Sequence, residues 1–171
     1  MVLQSDGLPA GRITKWEWKA GASKTFLAGY FDNFKLTLCH TDRTSLAGNY
    51  VDNYNGRTPV NVIDRSRLNV SSAQPETWVA FPFDTPFDYN GSDNLIVEVW
   101  WDGDNGAGGG ARYGNAGGGN RQVYSGKYNG TVYAGYPDTG YLTQYMHYMR
   151  ITMSVAAVGG SSLGRVRALF R

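Results

Sequence analysis

The chain has 171 residues, 42% hydrophobic and 18% charged, with 23 glycines and a formal net charge of +2. That length makes one compact domain that buries most of its unfolded surface and needs no metal or disulfide staple to fold. Only three glutamates occur, Glu17, Glu76 and Glu98, and no apolar run approaches roughly 18 residues, which argues against a helical bundle, a coiled coil and a membrane-crossing helix.

In chain order, Arg12–Trp18 reads as a first strand, rich in β-branched and aromatic residues behind the Pro9/Gly11 turn. A second is expected over 32–39, with Phe34, Leu36 and Leu38 on one face. Two short strands follow, 59–63 and 67–70, split by a polar turn. Residues 77–83 form another, and the internal Pro82 places it at a strand end or a sheet edge. The segment 94–101 is apolar on both faces apart from Glu98, so a central position is expected. Residues 147–155 alternate, Met149, Ile151, Met153 and Val155 inward against Arg150, Thr152 and Ser154 outward. Asp6-Gly7, Asn55-Gly56, Asn90-Gly91, Asp102-Gly103 and Asn129-Gly130 punctuate the strands as turns. The expected fold is all-β: a single antiparallel β-sandwich of jelly-roll kind over residues 1–158.

Two segments depart from the strand-turn rhythm. Residues 103–130 hold 11 of the 23 glycines, an expensive stretch to order. It reads either as a loose connection or as a loop ordered by a ligand or neighbour, with Tyr113, Tyr124 and Tyr128 as contact residues. Beyond Gly159-Gly160-Ser161-Ser162 lies a basic, apolar tail containing Leu163, Arg165, Val166, Arg167, Leu169, Phe170 and Arg171. Without its three arginines the body has 13 basic against 14 acidic groups, so the tail alone carries the positive excess. That charge sits among apolar side chains, which fits an acidic partner surface better than nucleic acid. The tail suits a strand or one helical face, is too short to be stable alone, and is read as an interface element that docks on a neighbouring subunit.

Catalytic constellations are poor. His40 at a strand end suits a turn-organising hydrogen bond, and His147 looks structural. Glu17 and Glu98 could form a glycosidase pair on paper, but nothing in the sequence brings them together. Cys39 is the sole cysteine, so no internal disulfide forms, and its alternation with apolar neighbours makes it a structural thiol. No cofactor is expected. Calcium is the one metal to consider, at Asp88, Asp102 or Asp104, whose Asp/Asn/Gly turns concentrate hard oxygen ligands without EF-hand spacing. Trp18 and Trp100 are candidate ligand or partner aromatics, and a tryptophan on the face of Ile96 and Glu98 could stack on a sugar ring.

His40-Thr41, Leu46, Asp52-Asn53-Tyr54-Asn55-Gly56, Trp78-Val79-Ala80-Phe81-Pro82-Phe83-Asp84-Thr85-Pro86-Phe87-Asp88-Tyr89-Asn90-Gly91 and Asn94-Leu95-Ile96-Val97-Glu98-Val99 together resemble a β-sandwich module of bacterial secreted and cell-surface proteins. Those modules carry a "GHT" and a "W…F.L.TPF.Y.G..NLLVE" core motif and little catalytic machinery. The resemblance covers residues 10–101 and implies fold more than function; Cys39 stands where the pattern has glycine. The N-terminal residues lack a secretory leader, and a Gly-, Asn- and Tyr-rich, Lys-poor composition favours a mature exported chain over an intracellular one.

The expected function is that of a non-enzymatic structural subunit of an extracellular filament or surface assembly, joined to copies of itself through sandwich edges and the tail. A carbohydrate-binding module using exposed Trp and Tyr on a polysaccharide is the alternative, and a viral jelly-roll capsid or decoration protein a further one. No nucleic-acid partner and no transmembrane segment are expected.

Overall fold

The structure, a computed structural model, describes residues 1–23, 25–107, 112–115, 119–128, 131–133, 138–154 and 165–170. It is an all-β chain whose two main antiparallel sheets pack face to face as a sandwich. The first five strands in the chain are β1 (Gly11–Lys19), β2 (Gly29–Thr41), β3 (Val60–Val70), β4 (Trp78–Tyr89) and β5 (Asn94–Trp100), shared between the two sheets. Strands β3, β2 and β5 lie side by side in that order, and the two-residue β6 (Gly103–Asp104) also pairs with β2. Strands β1 and β4 pair with each other in the opposite sheet.

After β6 the chain forms three two-stranded ribbons. They pair β7 (Tyr113–Asn115) with β12 (Tyr145–His147), β8 (Gln122–Tyr124) with β11 (Tyr141–Thr143), and β9 (Gly126–Tyr128) with β10 (Thr131–Tyr133). The second sheet runs β14 (Arg165–Phe170), β13 (Met149–Ser154), β1, β4. Among the described residues no helix is long and apolar enough to cross a membrane.

The core follows from alternation. Phe34, Leu36 and Leu38 of β2 face Ile13 and Trp16 of β1, Phe81 of β4 and Met149, Ile151 and Met153 of β13. Aromatic rings fill the centre: Phe81 stacks on Phe34 at 5.8 Å between centroids and 10° between planes, and packs against Trp16 at 5.1 Å and Trp18 at 5.3 Å. Such contacts add to the area burial that drives the sheets together. Arg150 and Thr152 point outward as expected; Val155 lies outside the described residues.

Several expectations are corrected. The two strands expected at 59–63 and 67–70 are one continuous β3. Its polar middle is no turn, because Arg65 and Arg67 lie on exposed positions and pair with Asp84 and Asp32. Strand β5 is last in its sheet order, and β2 is central. β5 is apolar on both faces because its outer face is covered as well: Ile96 packs with Met1, Cys39 and Leu46, against which Leu3, Tyr54 and Val123 rest. Asp102-Gly103 is no turn either, since Gly103 is paired with Asp32 in β6. Asn55 and Gly56 both adopt positive φ, as do Gly7 and Gly91, and Asn129-Gly130 lies outside the described residues. At Gly91 a Cβ would also meet Ala10 N at 2.6 Å, so that turn requires glycine.

Pro82 sits on β4 at the sheet edge, where a missing N–H costs least. The β1–β4 register jumps here: Ile13 pairs with Phe87 and Lys15 with Pro82, so residues 83–86, Pro86 among them, leave the β1 ladder as a bulge bounded by Pro82 and Phe87. The described parts of 103–130 are neither a loose connection nor a free loop. They form ribbons with residues 131–147, and Leu46 N bonds Asn120 O at 2.9 Å. The 165–170 segment is a strand in this chain, paired residue for residue with β13 from Met149↔Phe170 to Ser154↔Arg165. Leu163 and Arg171 lie outside the described residues.

Candidate functional site

Three places bring the chemistry-bearing residues together. The first is the outer face of the β4–β1–β13 sheet. Glu17 is buried at 3% exposure, opposite Arg150 in the β1–β13 register. Arg150 donates Nε to Glu17 Oε2 at 2.5 Å and a second bond to Oε1. Lys15 Nζ lies 3.4 Å from the same carboxylate, and the Arg150 guanidinium stacks 4.7 Å from the Trp78 ring. Burial by itself raises the Glu17 carboxyl, but the Arg150 bonds and charge, with Lys15, outweigh it and hold it below the usual carboxylate range.

The second place is the outer face of β3–β2–β5. Cross-strand pairing aligns Asn61, Thr37 and Glu98 in one row, and Asp64, Lys35 and Trp100 in the next. Thr37 donates to Asn61 Oδ1 at 2.7 Å, and Lys35 Nζ sits 5.8 Å from the Trp100 ring. Tyr54 donates its hydroxyl to Glu98 Oε2, and burial pushes the Glu98 carboxyl up. The loop carrying Tyr54 is fixed locally. Thr41 Oγ1 donates to Asn53 O at 2.9 Å, and the Asn53 amide bonds Ala47 N, Ala47 O and Asn49 O.

Glu17 and Glu98 therefore lie on different sheets, one bonded to Arg150 and the other to Tyr54, and are not brought together. A raised carboxyl makes its folded state lose stability as pH climbs from the ordinary carboxylate value through the raised one. Glu98→Gln, which keeps an acceptor for Tyr54, is expected to melt with the wild type near pH 4. By pH 8 it should melt above the wild type, because the variant has no buried carboxylate to ionise. Melting curves of both proteins from pH 4 to 8 test this, and parallel profiles would contradict it.

The third place is the edge carrying β14. Among the described residues this sheet ends with β14 on one side and β4 on the other.

The remaining sequence candidates fall elsewhere. Trp18 is packed on the core among Trp16, Phe81 and His147, so its rings are taken by the protein itself. Trp100 faces out with Glu98, and Trp101 turns to Phe31, 5.4 Å away. Tyr124 is 51% exposed; the side chains of Tyr113 and Tyr128 lie outside what is described. His40 accepts from Asn90 N at 3.2 Å through Nε2 and lies against the Phe87 and Tyr89 rings, so its bond reaches the distant Asn90-Gly91 turn and not a local one at 40–42. Burial lowers its pKa, so this neutral imidazole loses its stabilising effect as pH falls below about 6.5. Cys39 is fully buried, its thiol raised by that burial and directed to His40 O.

Asp88 is committed to Arg12 through Oδ1 at 2.8 Å and Oδ2 at 3.1 Å. Asp102 accepts from Asn33 Nδ2 at 2.6 Å, and Asp104 from Gly106 N at 2.8 Å. Among the described residues no three His, Cys, Asp or Glu side chains converge as a metal site. Sequence reasoning missed Tyr141, which lies beside Tyr124 at 6.0 Å between ring centroids; two tyrosines 17 positions apart carry no periodic signal. Compared with family models, curated proteins and solved structures, the chain matches none.

Proposed function

We propose that this chain is a non-enzymatic structural subunit of an extracellular filament or surface assembly, in which copies join by passing β14 to the β13 edge of a neighbour. The observation that carries this reading is the β13–β14 ladder. Six registered pairs hold Arg165–Phe170 at the outside of the sheet, and such backbone bonding is the same whichever copy supplies the strand. Residues 155–164 separate the two strands. A ten-residue connection reaches up to about 35 Å when extended, enough to choose between the home edge and an adjacent one. The carboxylates and imidazoles that could serve catalysis support the same reading, because Glu17, Glu98, His40 and His147 are all engaged in packing or pairing.

Sedimentation velocity of the full chain and of a chain ending at Gly159 tests the proposal. The full chain is expected to form oligomers that grow with concentration, and the shortened chain to stay monomeric while keeping its β-sheet circular dichroism. Equal oligomers from both would refute it.

A further inference from the structure

The β8–β11 ribbon has two dissimilar faces. Val123 points down onto the cluster of Met1, Cys39, Leu46 and Ile96. Alternation then turns Gln122 and Tyr124 up, opposite Thr143 and Tyr141 in the register. Tyr124 and Tyr141 are 51% and 57% exposed, with rings 6.0 Å apart and inclined by 45°. No described residue bonds either phenol. The row is Gln122, Tyr124, Tyr141 and Thr143: two aromatic surfaces, an amide and a hydroxyl, with no ionised group.

This row is held in place from below. A Cβ at Gly140 would lie 2.7 Å from Tyr124 O, 2.7 Å from Tyr50 Oη and 2.8 Å from Val123 Cγ2, so only glycine lets β11 approach β8 this closely. Gly140 N also donates to Gly48 O at 2.9 Å. The Tyr50 hydroxyl donates to Ser125 Oγ at 2.8 Å, tying the 48–54 loop to the end of β8. Tyr141 is thus presented by a packed support, which lowers the ordering cost of binding.

We propose that the Tyr124–Tyr141 face is a binding platform for a neutral polysaccharide. A pyranose ring offers an apolar C–H face that lies on a phenol ring and equatorial hydroxyls that meet Gln122, Thr143 and the two phenols. The lack of charge selects against nucleic acids and acidic glycans, whose binding rests on Lys and Arg. The half-polar rim of amide and hydroxyls suits a polyol better than the apolar centre of a protein interface. The platform operates whether or not β14 is exchanged between copies.

The test is amide-resolved NMR titration of the full chain with cello-, xylo-, manno- and chitohexaose, and with a heparin hexasaccharide as charged control. At least one neutral hexasaccharide is expected to shift amides of 122–125 and 140–143, with heparin leaving them unmoved. Tyr124→Ala and Tyr141→Ala should each weaken binding about tenfold, equivalent to about 1.4 kcal/mol, whereas Tyr124→Phe should retain most of it. Gly140→Ala should weaken binding through the displaced strand; Tyr50→Phe serves where that variant does not fold. Four results would overturn the proposal: no shifts with any neutral hexasaccharide, shifts confined to other surfaces, preference for heparin, or dissociation of an oligomer by Tyr124→Ala, which would make the face a contact between copies.

Discussion

Phe81→Ala is expected to destabilise the protein by about 3–5 kcal/mol, the range for deleting a buried aromatic side chain. Phe81 has 0% exposure and touches three rings, Phe34 from the facing sheet and Trp16 and Trp18 from its neighbour strand β1. Removing it opens a space that none of the three can fill, since Trp16 and Phe34 are themselves enclosed on other sides. The loss is a large share of the roughly 5–15 kcal/mol that holds a domain folded. Urea unfolding measures it: with a slope of about 2 kcal/mol/M, the midpoint should fall by about 2 M. Phe81→Leu should lose well under half as much. An alanine variant within about 1 kcal/mol of wild type would show that the two sheets do not meet through this ring.

The second large effect is electrostatic. Arg150→Met leaves the Glu17 carboxylate buried with only Lys15 beside it, and breaking a buried pair from one side costs about 3–5 kcal/mol. The double variant Glu17→Leu/Arg150→Met should recover most of that loss, because no uncompensated charge remains. The pH dependence follows from the direction of the Glu17 shift. Its carboxyl is held below its unfolded value in the folded protein, so it stabilises above the ordinary carboxylate range, and the gain disappears as pH falls through the lowered value. Wild type should therefore gain stability as pH rises through the range below the ordinary glutamate value of 4.5. Arg150→Met should lose that gain. Denaturant titrations across this range check both statements, and a single variant no less stable than the double one would contradict them.

Much of the sandwich was legible because alternation is a local signal. Phe34, Leu36 and Leu38 in β2 and Met149, Ile151 and Met153 in β13 announce their inward faces over a few residues, whereas Trp18, read as a ligand aromatic, packs on the core. The errors have a common physical source in long-range partners. β3 looked interrupted at Asp64–Ser66 because its outer polar residues find Asp84 and Asp32 in other segments. β5 looked central because Met1, Leu46 and Val123 arrive from distant parts of the chain to cover Ile96. The Glu17–Arg150 pair spans 133 positions, and Tyr54 reaches Glu98 across 44. Neither spacing belongs to a motif. The glycine-rich region misled in the same way: its entropy cost is visible in the sequence, while the ribbons that offset it depend on residues 131–147.

The exchange of β14 is tested most directly by trapping it between two distinguishable chains. Thr152 and Arg167 are partners in the β13–β14 register, and antiparallel partners have Cα atoms about 4.5–5.5 Å apart, within the span of a disulfide. In a Cys39→Ala background, one tagged chain carries Thr152→Cys and a second, of different size, carries Arg167→Cys. The two are unfolded together, refolded and oxidised. The account predicts a disulfide-linked dimer containing one chain of each kind, which a gel without reductant resolves by size. No mixed dimer, with an efficient internal disulfide in a single chain carrying both substitutions, would contradict it and leave β14 as a strand of its own sandwich alone.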